Sequence, residues 1–340
     1  GSSLRNEGKI HLGFVYALDG SGSTTKAMVE GALAFAPLVE RWCGEVEWAR
    51  LRSDGFGYVV MEDGLAGPDQ VEAHYESVLA EIERVAASYG TNYLGADLGG
   101  ASIARRNGVY PGMAPGHSNH WFQTPERSID PRILSAYMLD AVRNEPMIEI
   151  LLGHRVVRAK RRESGFVLEI STDSGKRRIE AETVVNCAWE GRPALDRMVM
   201  DDRSDRNFRI KHSVVLRGGD TSGILPATLV QGPFGDVVPY PNDDVYISWY
   251  PVARTHFGDD PGEGLRADRR VAAEVHEVIQ RLFPALAGFR VVRHGPCYIV
   301  AEALTDINDP QSALHKRSGA EFIESGGWWS IRSSKLTTAP

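Results

Sequence analysis

The chain predicts a mixed fold, α/β in one part and α+β in another, arranged as two interleaved domains. Three observations carry that expectation. Four runs of apolar residues recur at steps of three and four, the spacing of helices with one buried face. One run, Thr183-Val-Val-Asn-Cys-Ala188, is short and nearly continuously apolar, as in a parallel strand covered on both faces. Other segments carry the period of two that suits antiparallel strands.

Met28, Ala32, Phe35, Val39 and Trp42 mark the first helix, over residues 25–42. Val71, Tyr75, Val78, Ile82, Val85 and Tyr89 mark the second, ended by Gly90 just past its last turn. Asp130 followed by Pro131 supplies a capping carboxylate and a proline at the first helical position, with Leu134, Met138 and Val142 as the expected buried stripe. Residues 154–161, 166–171 and 177–182 read as a three-stranded meander joined by Glu-Ser-Gly and Thr-Asp-Ser-Gly turns. The apolar strand at 183–188 follows. Further strands are expected at 208–216, 236–240, 245–250 and 290–299, and a last long helix at 268–283 with Val271, Val275, Val278 and Leu282 inward.

With 340 residues, 42% of them apolar, the chain can bury a large core in one or two domains. A net charge of −7 without a run of Lys and Arg leaves no footprint for nucleic acid. No stretch approaches the ~18 uninterrupted apolar residues of a membrane span, and no signal peptide opens the chain. Cys43, Cys187 and Cys297 are odd in number and widely separated, which argues against a disulfide framework or a zinc site and fits the reducing cytoplasm. His117 and His120, beside Trp121, lack the further partners a metal requires. The expected partner is a small molecule, with no metal; the oligomeric state is not written in the sequence.

A dinucleotide cradle requires Gly-x-Gly-x-x-Gly between a strand and a helix, because glycine permits the tight turn and the close approach to pyrophosphate. The 340 residues contain no such pattern. Gly20-Ser-Gly22-Ser23 is a superficial candidate, but no apolar strand leads into it and Thr25 holds the third glycine position. A turn entering the first helix is the better reading.

Two segments at opposite ends carry the most specific signal: GSSLRNEGKIHLGFVY at residues 1–16 and GWWSIRSSKLTT at residues 327–338. They resemble two segments flanking the flavin in the FAD-dependent oxidoreductase superfamily of D-amino-acid oxidase, glycine and sarcosine oxidases and aerobic glycerol-3-phosphate dehydrogenase. Ser2, Ser3, Arg5, Ile10, His11, Gly13 and Tyr16 fall in register with the segment that there passes over the flavin ring. That register reaches into the opening Gly-Ser-Ser, which favours native sequence over a vector scar. Residues 126–132 resemble the family's return to its FAD domain, and Val156 or Val157 sits where its backbone passes the adenine. Val184-Val-Asn-Cys-Ala188 resembles the strand "VVNAAG", whose end approaches the pyrophosphate, with Trp189 in place of the expected glycine. Residues 329–338 are similar to "SxxGGKLTTYR", with Ser333 and Ser334 in place of two glycines. Independently of the family, Thr337-Thr338-Ala339-Pro340 reads as a helix start whose free N–H groups face whatever precedes it, in this family the flavin's pyrimidine edge.

The resemblance implies a truncated Rossmann-like FAD-binding domain (1–43, 124–205 and 313–340) interleaved with an antiparallel-sheet substrate domain (44–123 and 206–312). It implies FAD, held without a covalent bond, at Ser2, Ser3, Arg5, Asn6, Lys9, Ile10, Val156, Asn186, Ala188, Lys335, Leu336, Thr337 and Thr338. Arg5 and Lys9 would neutralise its pyrophosphate or ring edge. His11 and Tyr250 are the implied catalytic residues, His11 as ring contact or proton acceptor, and Tyr240, Tyr246 and Arg254 would bind substrate. Cys297-Tyr298 loosely resembles a covalent flavin attachment seen in some members, against which stands the commoner reading of a buried thiol. The implied reaction passes a hydride from a small amine or amino acid, or else a hydroxy compound, to flavin, which oxygen, a quinone or another acceptor reoxidises. In the family roughly 40 residues bearing the glycine loop would precede Gly1. The chain is therefore expected to be a piece of a longer flavoprotein, binding FAD poorly and inactive by itself. Trp189, Ser333 and Ser334 keep open a degenerate, non-catalytic relative. A nicotinamide-dependent reductase gives no role to the C-terminal segment.

Overall fold

A computed structural model describes residues 2–202, 206–303, 305–317, 322–332 and 335–339. Its long helices are Ser23–Cys43, Pro68–Tyr89, Pro131–Asn144 and Arg269–Leu282, each where the apolar spacing puts one. Their ends follow from local chemistry. Asp130 accepts the Arg132 N–H at 2.9 Å and Asp268 the Arg270 N–H at 2.8 Å, while Gly90, at φ 78°, donates its N–H to the Ala86 carbonyl.

The buried stripes stop short of what the sequence suggests. Trp42 and Tyr89 are 66% and 51% exposed, because the last turn of each helix extends beyond the core. In Pro131–Asn144 only Pro131 and Leu134 are buried and Met138 faces outward. The last helix buries Ala272, Val275, Ile279 and Leu282, with Val271 and Val278 at the flanks, so its face is rotated by about one residue.

The dominant sheet has nine strands among the described residues. Asn207–Arg217 pairs antiparallel with Arg290–Ala301 along its length, and also with Val245–Trp249 and Arg254–Gly258 at its two ends. The order continues from Val245–Trp249 through Gly235–Pro239, Ala227–Val230, Gly57–Val60 and His120–Gln123 to Ala104–Asn107. The join of Ala227–Val230 to Gly57–Val60 is parallel and sews early chain to late chain. Tyr58 and Val60 face one core, with Phe14, Tyr75 and Phe122, whereas Val59 faces the other, with Val237, Ile247 and the Arg269–Leu282 helix. Several of these strands are too short to show a period and were not foreseen.

The meander is present as Arg155–Arg162, Gly165–Thr172 and Gly175–Ala181. Val184–Asn186 pairs parallel with Trp328–Ile331, in keeping with its composition. The expectation that both its faces are covered is corrected: it is an edge strand, and Val185 is 58% exposed. The strand expected to run to residue 250 ends at Trp249, because Pro251 favours a helical turn, Tyr250–Ala253. Tyr246 and Tyr250 therefore do not share a strand face.

The parallel pair is fastened by the fully buried Asp196. Its carboxylate accepts from Asn186 Nδ2 at 2.8 Å, Trp328 Nε1 at 2.8 Å, Ser330 Oγ at 2.6 Å and Arg192 Nη1 at 3.0 Å. Removing one partner of a buried charge pair strands the other. Asp196→Ala is expected to cost about 3–5 kcal/mol in urea unfolding; a loss under about 1 kcal/mol would show that the knot does not hold these strands together.

Candidate active site

Gly8 sits at φ 68°, and a Cβ there would fall 1.8 Å from the Ile129 carbonyl oxygen. Glycine is thus what lets the opening segment lie down and pair Lys9–Ile10 with Arg127–Ser128. Upstream, Ser2 Oγ accepts the Tyr298 N–H at 3.2 Å and Arg5 Nη1 donates to the Pro296 carbonyl. Asn6 braces its own turn, donating to Ser3 O at 2.9 Å and accepting from Gly8 N at 2.8 Å.

The opposite end of the chain arrives at the same place. The His11 N–H donates to Thr337 Oγ1 at 2.6 Å, and Lys335 Nζ stands 3.3 Å from His11 Nε2. The Ser23–Cys43 helix closes on this lip through Gly31, where a Cβ would meet Thr337 O at 2.9 Å. The expected helix start is a single turn, Leu336–Thr338, without a side-chain cap, since the Thr337 hydroxyl is engaged by His11. Gly1, Ser333, Ser334 and Pro340 lie outside the described residues.

Behind His11 is a carboxylate that sequence reasoning did not single out. Glu126, with no exposure, accepts the Leu12 N–H at 2.6 Å and the Tyr58 hydroxyl, and its Oε1 lies 3.4 Å from His11 Nδ1. Burial works against its charge, but His11, Lys9 and the Tyr58 hydroxyl outweigh that and hold it below the usual carboxylate range. Burial first, and then the Lys335 ammonium, push His11 below its usual 6.5. The pair is a carboxylate beside a neutral imidazole near neutral pH.

Lys9 turns away from any surface anion. Its Nζ donates to Asp236 Oδ1 at 2.9 Å and to Thr228 Oγ1, 4.4 Å from the centre of the Phe56 ring. Burial opposes both charges. The Lys9 ammonium nevertheless brings Asp236 down to about 2, and Asp236, Glu126 and Glu7 raise Lys9. Tyr240 and Tyr246 belong to this neighbourhood: both are buried, the Tyr240 hydroxyl donates to Glu7 O at 3.0 Å, and Tyr246 lies within the field of Glu7 and Asp236.

Tyr250 and Arg254 meet in a different cluster. Arg209 Nη1 donates to the Tyr250 hydroxyl at 3.0 Å, which donates to Asp306 Oδ1 at 3.0 Å; Arg254 Nη1 pairs with Asp306 Oδ2. Arg317 lies close enough to Arg209 and Tyr16 for both to influence its charge, and the Tyr16 ring leads back to the junction, 5.8 Å from Lys335 Nζ and 6.0 Å from the His11 ring. Among the described residues, Arg209 Nε and Nη2 and the Nε atoms of Arg254 and Arg317 are buried without a hydrogen-bond partner. Arg209 and Arg317 escaped the sequence reading because nothing in their local pattern distinguishes them from surface cations.

Other expected contacts are committed elsewhere. Asn186 belongs to the Asp196 knot, Val156 is paired with Ile170 in the meander, and Ala188 is exposed. Asp19 occupies the start of the first helix, accepting from Thr24 N at 3.2 Å and Ser21 N at 3.0 Å, so Gly20–Ser23 is the helix-entrance turn and not a phosphate loop. Among the described residues no group of three His, Cys, Asp or Glu could hold a metal, and no helix is long and apolar enough to cross a membrane.

The chain belongs to the DAO family, FAD dependent oxidoreductase, which matches residues 1–310. Among solved structures it is similar to glycine oxidase from Geobacillus kaustophilus, with a TM-score of 0.68 and 13% identity over 99% of this chain and 82% of that one. L-alpha-glycerophosphate oxidase from Mycoplasma pneumoniae, with FAD bound, gives 0.58 and 14% over 88% and 73%. Iminodiacetate oxidase from Chelativorans sp. BNC1 gives 0.57 and 16% over 87% and 73%. At these identities the likeness concerns the fold. No curated protein matches the sequence significantly.

FAD is the cofactor of this family, and the junction offers what its ring edge requires. His11 is buried at the junction with its Nδ1 facing Glu126, and the Lys335 ammonium stands beside its Nε2, a positive charge suited to the ring edge.

By NMR, the His11 imidazole should titrate below 6.5. Glu126→Gln should lower it further, since the carboxylate favours the protonated ring, and Lys335→Met should raise it; shifts of the opposite sign would remove the pairing. Lys9→Met leaves Asp236 charged and buried alone, with an expected cost of about 3–5 kcal/mol. In the native protein the Asp236 contribution is present above the usual 3.8 and is lost as pH falls through about 2. The cost of Lys9→Met should therefore be largest near neutral pH and shrink as pH falls, where protonation of the stranded Asp236 relieves it and the wild-type contribution is itself lost; a cost that grows in acid would remove the pairing.

Proposed function

We propose that this protein oxidises a small amine or amino acid, or else a hydroxy compound, at a C–H bond beside its nitrogen or oxygen. The carrying observation is the meeting of the two chain ends at His11, with the Tyr16, Tyr250, Arg209, Arg254 and Arg317 cluster beside it. When bound, FAD supplies a two-electron acceptor for the substrate hydride.

The chain's own residues supply binding, a proton acceptor and exclusion of water. His11, kept neutral by burial and Lys335, takes a proton from the substrate N–H or O–H, while Glu126 steadies the imidazolium so formed. Lys335 adds positive charge where negative charge would accumulate. Arg254 and Arg209, aligned by Tyr250 and Asp306, hold an acidic group of the substrate. Tyr250 acts as an aligning hydrogen-bond link and Tyr240 and Tyr246 as packing around Lys9. The cofactor attachment is non-covalent. Cys297 points its thiol at Arg5 O and Lys211 O, and burial pushes its pKa up to about 11, so little thiolate forms.

The test is the full polypeptide expressed with FAD. Bound flavin should bleach anaerobically with at least one member of an amine, amino acid and hydroxy-acid panel, and His11→Ala should slow that bleaching by about 10²–10⁴-fold. Flavin that no panel member reduces would overturn the reading.

A non-catalytic relative is favoured by one observation. Trp189 adopts φ 48°, the backbone that the family's glycine favours, and its indole Nε1 donates to Tyr298 O at 2.9 Å. If the indole blocks the cofactor, Trp189→Gly should tighten FAD binding in fluorescence quenching. Unchanged affinity removes that argument.

A further inference from the structure

We propose that the cluster beside the junction selects a substrate carrying two negative charges: a small dicarboxylate or a phosphate monoester. This deepens the oxidase reading and rests on it. Among the described residues Arg209 and Arg254 converge on the carboxylate of Asp306, and Arg317 lies close enough to Arg209 and Tyr250 for its charge to be affected by both, with no carboxylate among its partners. Asp306 is already engaged. Its Oδ1 accepts from Tyr250 and from the Ile307 N–H at 2.8 Å, its Oδ2 pairs with Arg254, and Arg209 Nη1 stands off at 3.9 Å. Among the described residues one carboxylate thus stands against three cations, with two positive charges over.

The second observation is the set of donors without acceptors. Arg209, whose side chain is 3% exposed, has both Nε and Nη2 buried and unpartnered, and the Nε atoms of Arg254 and Arg317 are in the same condition. A buried donor left without an acceptor is destabilising, and more so when it is charged. A fold that gathers four such atoms has a place for acceptors. Nor can Tyr250 supply the missing charge, since burial raises its pKa and keeps the phenol neutral. A single carboxylate has two oxygens and one charge, which would leave both a guanidinium and part of the donor set unmatched.

Arg317 is held firmly enough to read a ligand. Its backbone N–H donates to Thr24 Oγ1 at 2.8 Å, and Thr24 is itself bound to Asp19 at the start of the Ser23–Cys43 helix. A cleft of ≈ 480 Å³ walled by Leu18, Gln70, Gln311, Ser312 and Lys316 includes the residue immediately before Arg317 in the chain. Lys316 is exposed at this opening and adds attraction for an approaching anion.

Calorimetric titration of the FAD-supplied protein with malonate, inorganic phosphate and acetate, at constant ionic strength, tests the inference. Malonate or phosphate should bind at least about tenfold tighter than acetate; preference for malonate marks a dicarboxylate substrate, and preference for phosphate a phosphate ester. Arg317→Gln should bring the preferred dianion to within about threefold of acetate, whereas Arg317→Lys, which keeps the charge, should retain part of the preference. Should Arg317→Gln fail to fold, Arg254→Gln, at a side chain 34% exposed, reads the same loss. Acetate binding as tightly as both dianions, or a full preference surviving in a folded charge-removing variant, overturns the proposal. Flavin absorbance of the same samples separates the two readings. Yellow, substrate-reducible protein without a dianion preference defeats this inference alone, and a colourless protein with the preference defeats the oxidase reading.

Discussion

Charge withdrawn from water must find opposite charge, and the Lys9–Asp236 pair is where this protein meets that constraint most severely. Lys9 belongs to the first ten residues and Asp236 to the middle of the nine-stranded sheet. Their pairing pins the opening segment against the sheet, and everything that segment carries is positioned by it. Glu126 then collects Leu12, Tyr58 and His11, so that two distant stretches of chain converge on one buried carboxylate. Such pairing adds little net stability over an apolar replacement, but it leaves few alternative arrangements open, because any other would strand a charge.

The same logic separates two polar neighbourhoods. Around Lys9 and Glu126 the charges are matched, Lys9 donating to Asp236 and Glu126 accepting from Leu12 and Tyr58, which suits a rigid support. Around Arg209 and Arg317 the cations exceed the carboxylates and several nitrogens lack acceptors. Tyr16 lies between them, touching the field of Arg317 on one side and of His11 and Lys335 on the other. A redox site needs both kinds of surroundings, one to fix the reacting geometry and one to receive the molecule that reacts.

The site was partly legible in the sequence. His11 and Thr337 were found through the two terminal motifs, and the structure joins them by a single hydrogen bond. Tyr250 and Arg254 were found through their position after a strand, and they do meet, though at a helical turn set by Pro251. Lys9 is expected from the sequence at the cofactor's pyrophosphate or ring edge and is instead buried against Asp236, because its strand pairing with Arg127–Ser128 directs it inward. Asn186 was assigned to the cofactor and instead binds Asp196, a residue with no local signature. Glu126, Arg209 and Arg317 could not be distinguished from ordinary surface charges, since burial of a charge depends on what other parts of the chain bring to it.

What the sequence determined by itself was local. Apolar spacing placed the four long helices, Asp130, Asp268 and Gly90 fixed their ends, and alternation with turn residues placed the meander, because these depend on neighbours within about one or two turns of chain. What tertiary structure decided was which charges come together: Lys9 with Asp236, His11 with Glu126 and Lys335, and Arg209 and Arg254 with Asp306. Those partners are tens to hundreds of residues apart, and no periodicity in a linear chain encodes a distance across the fold.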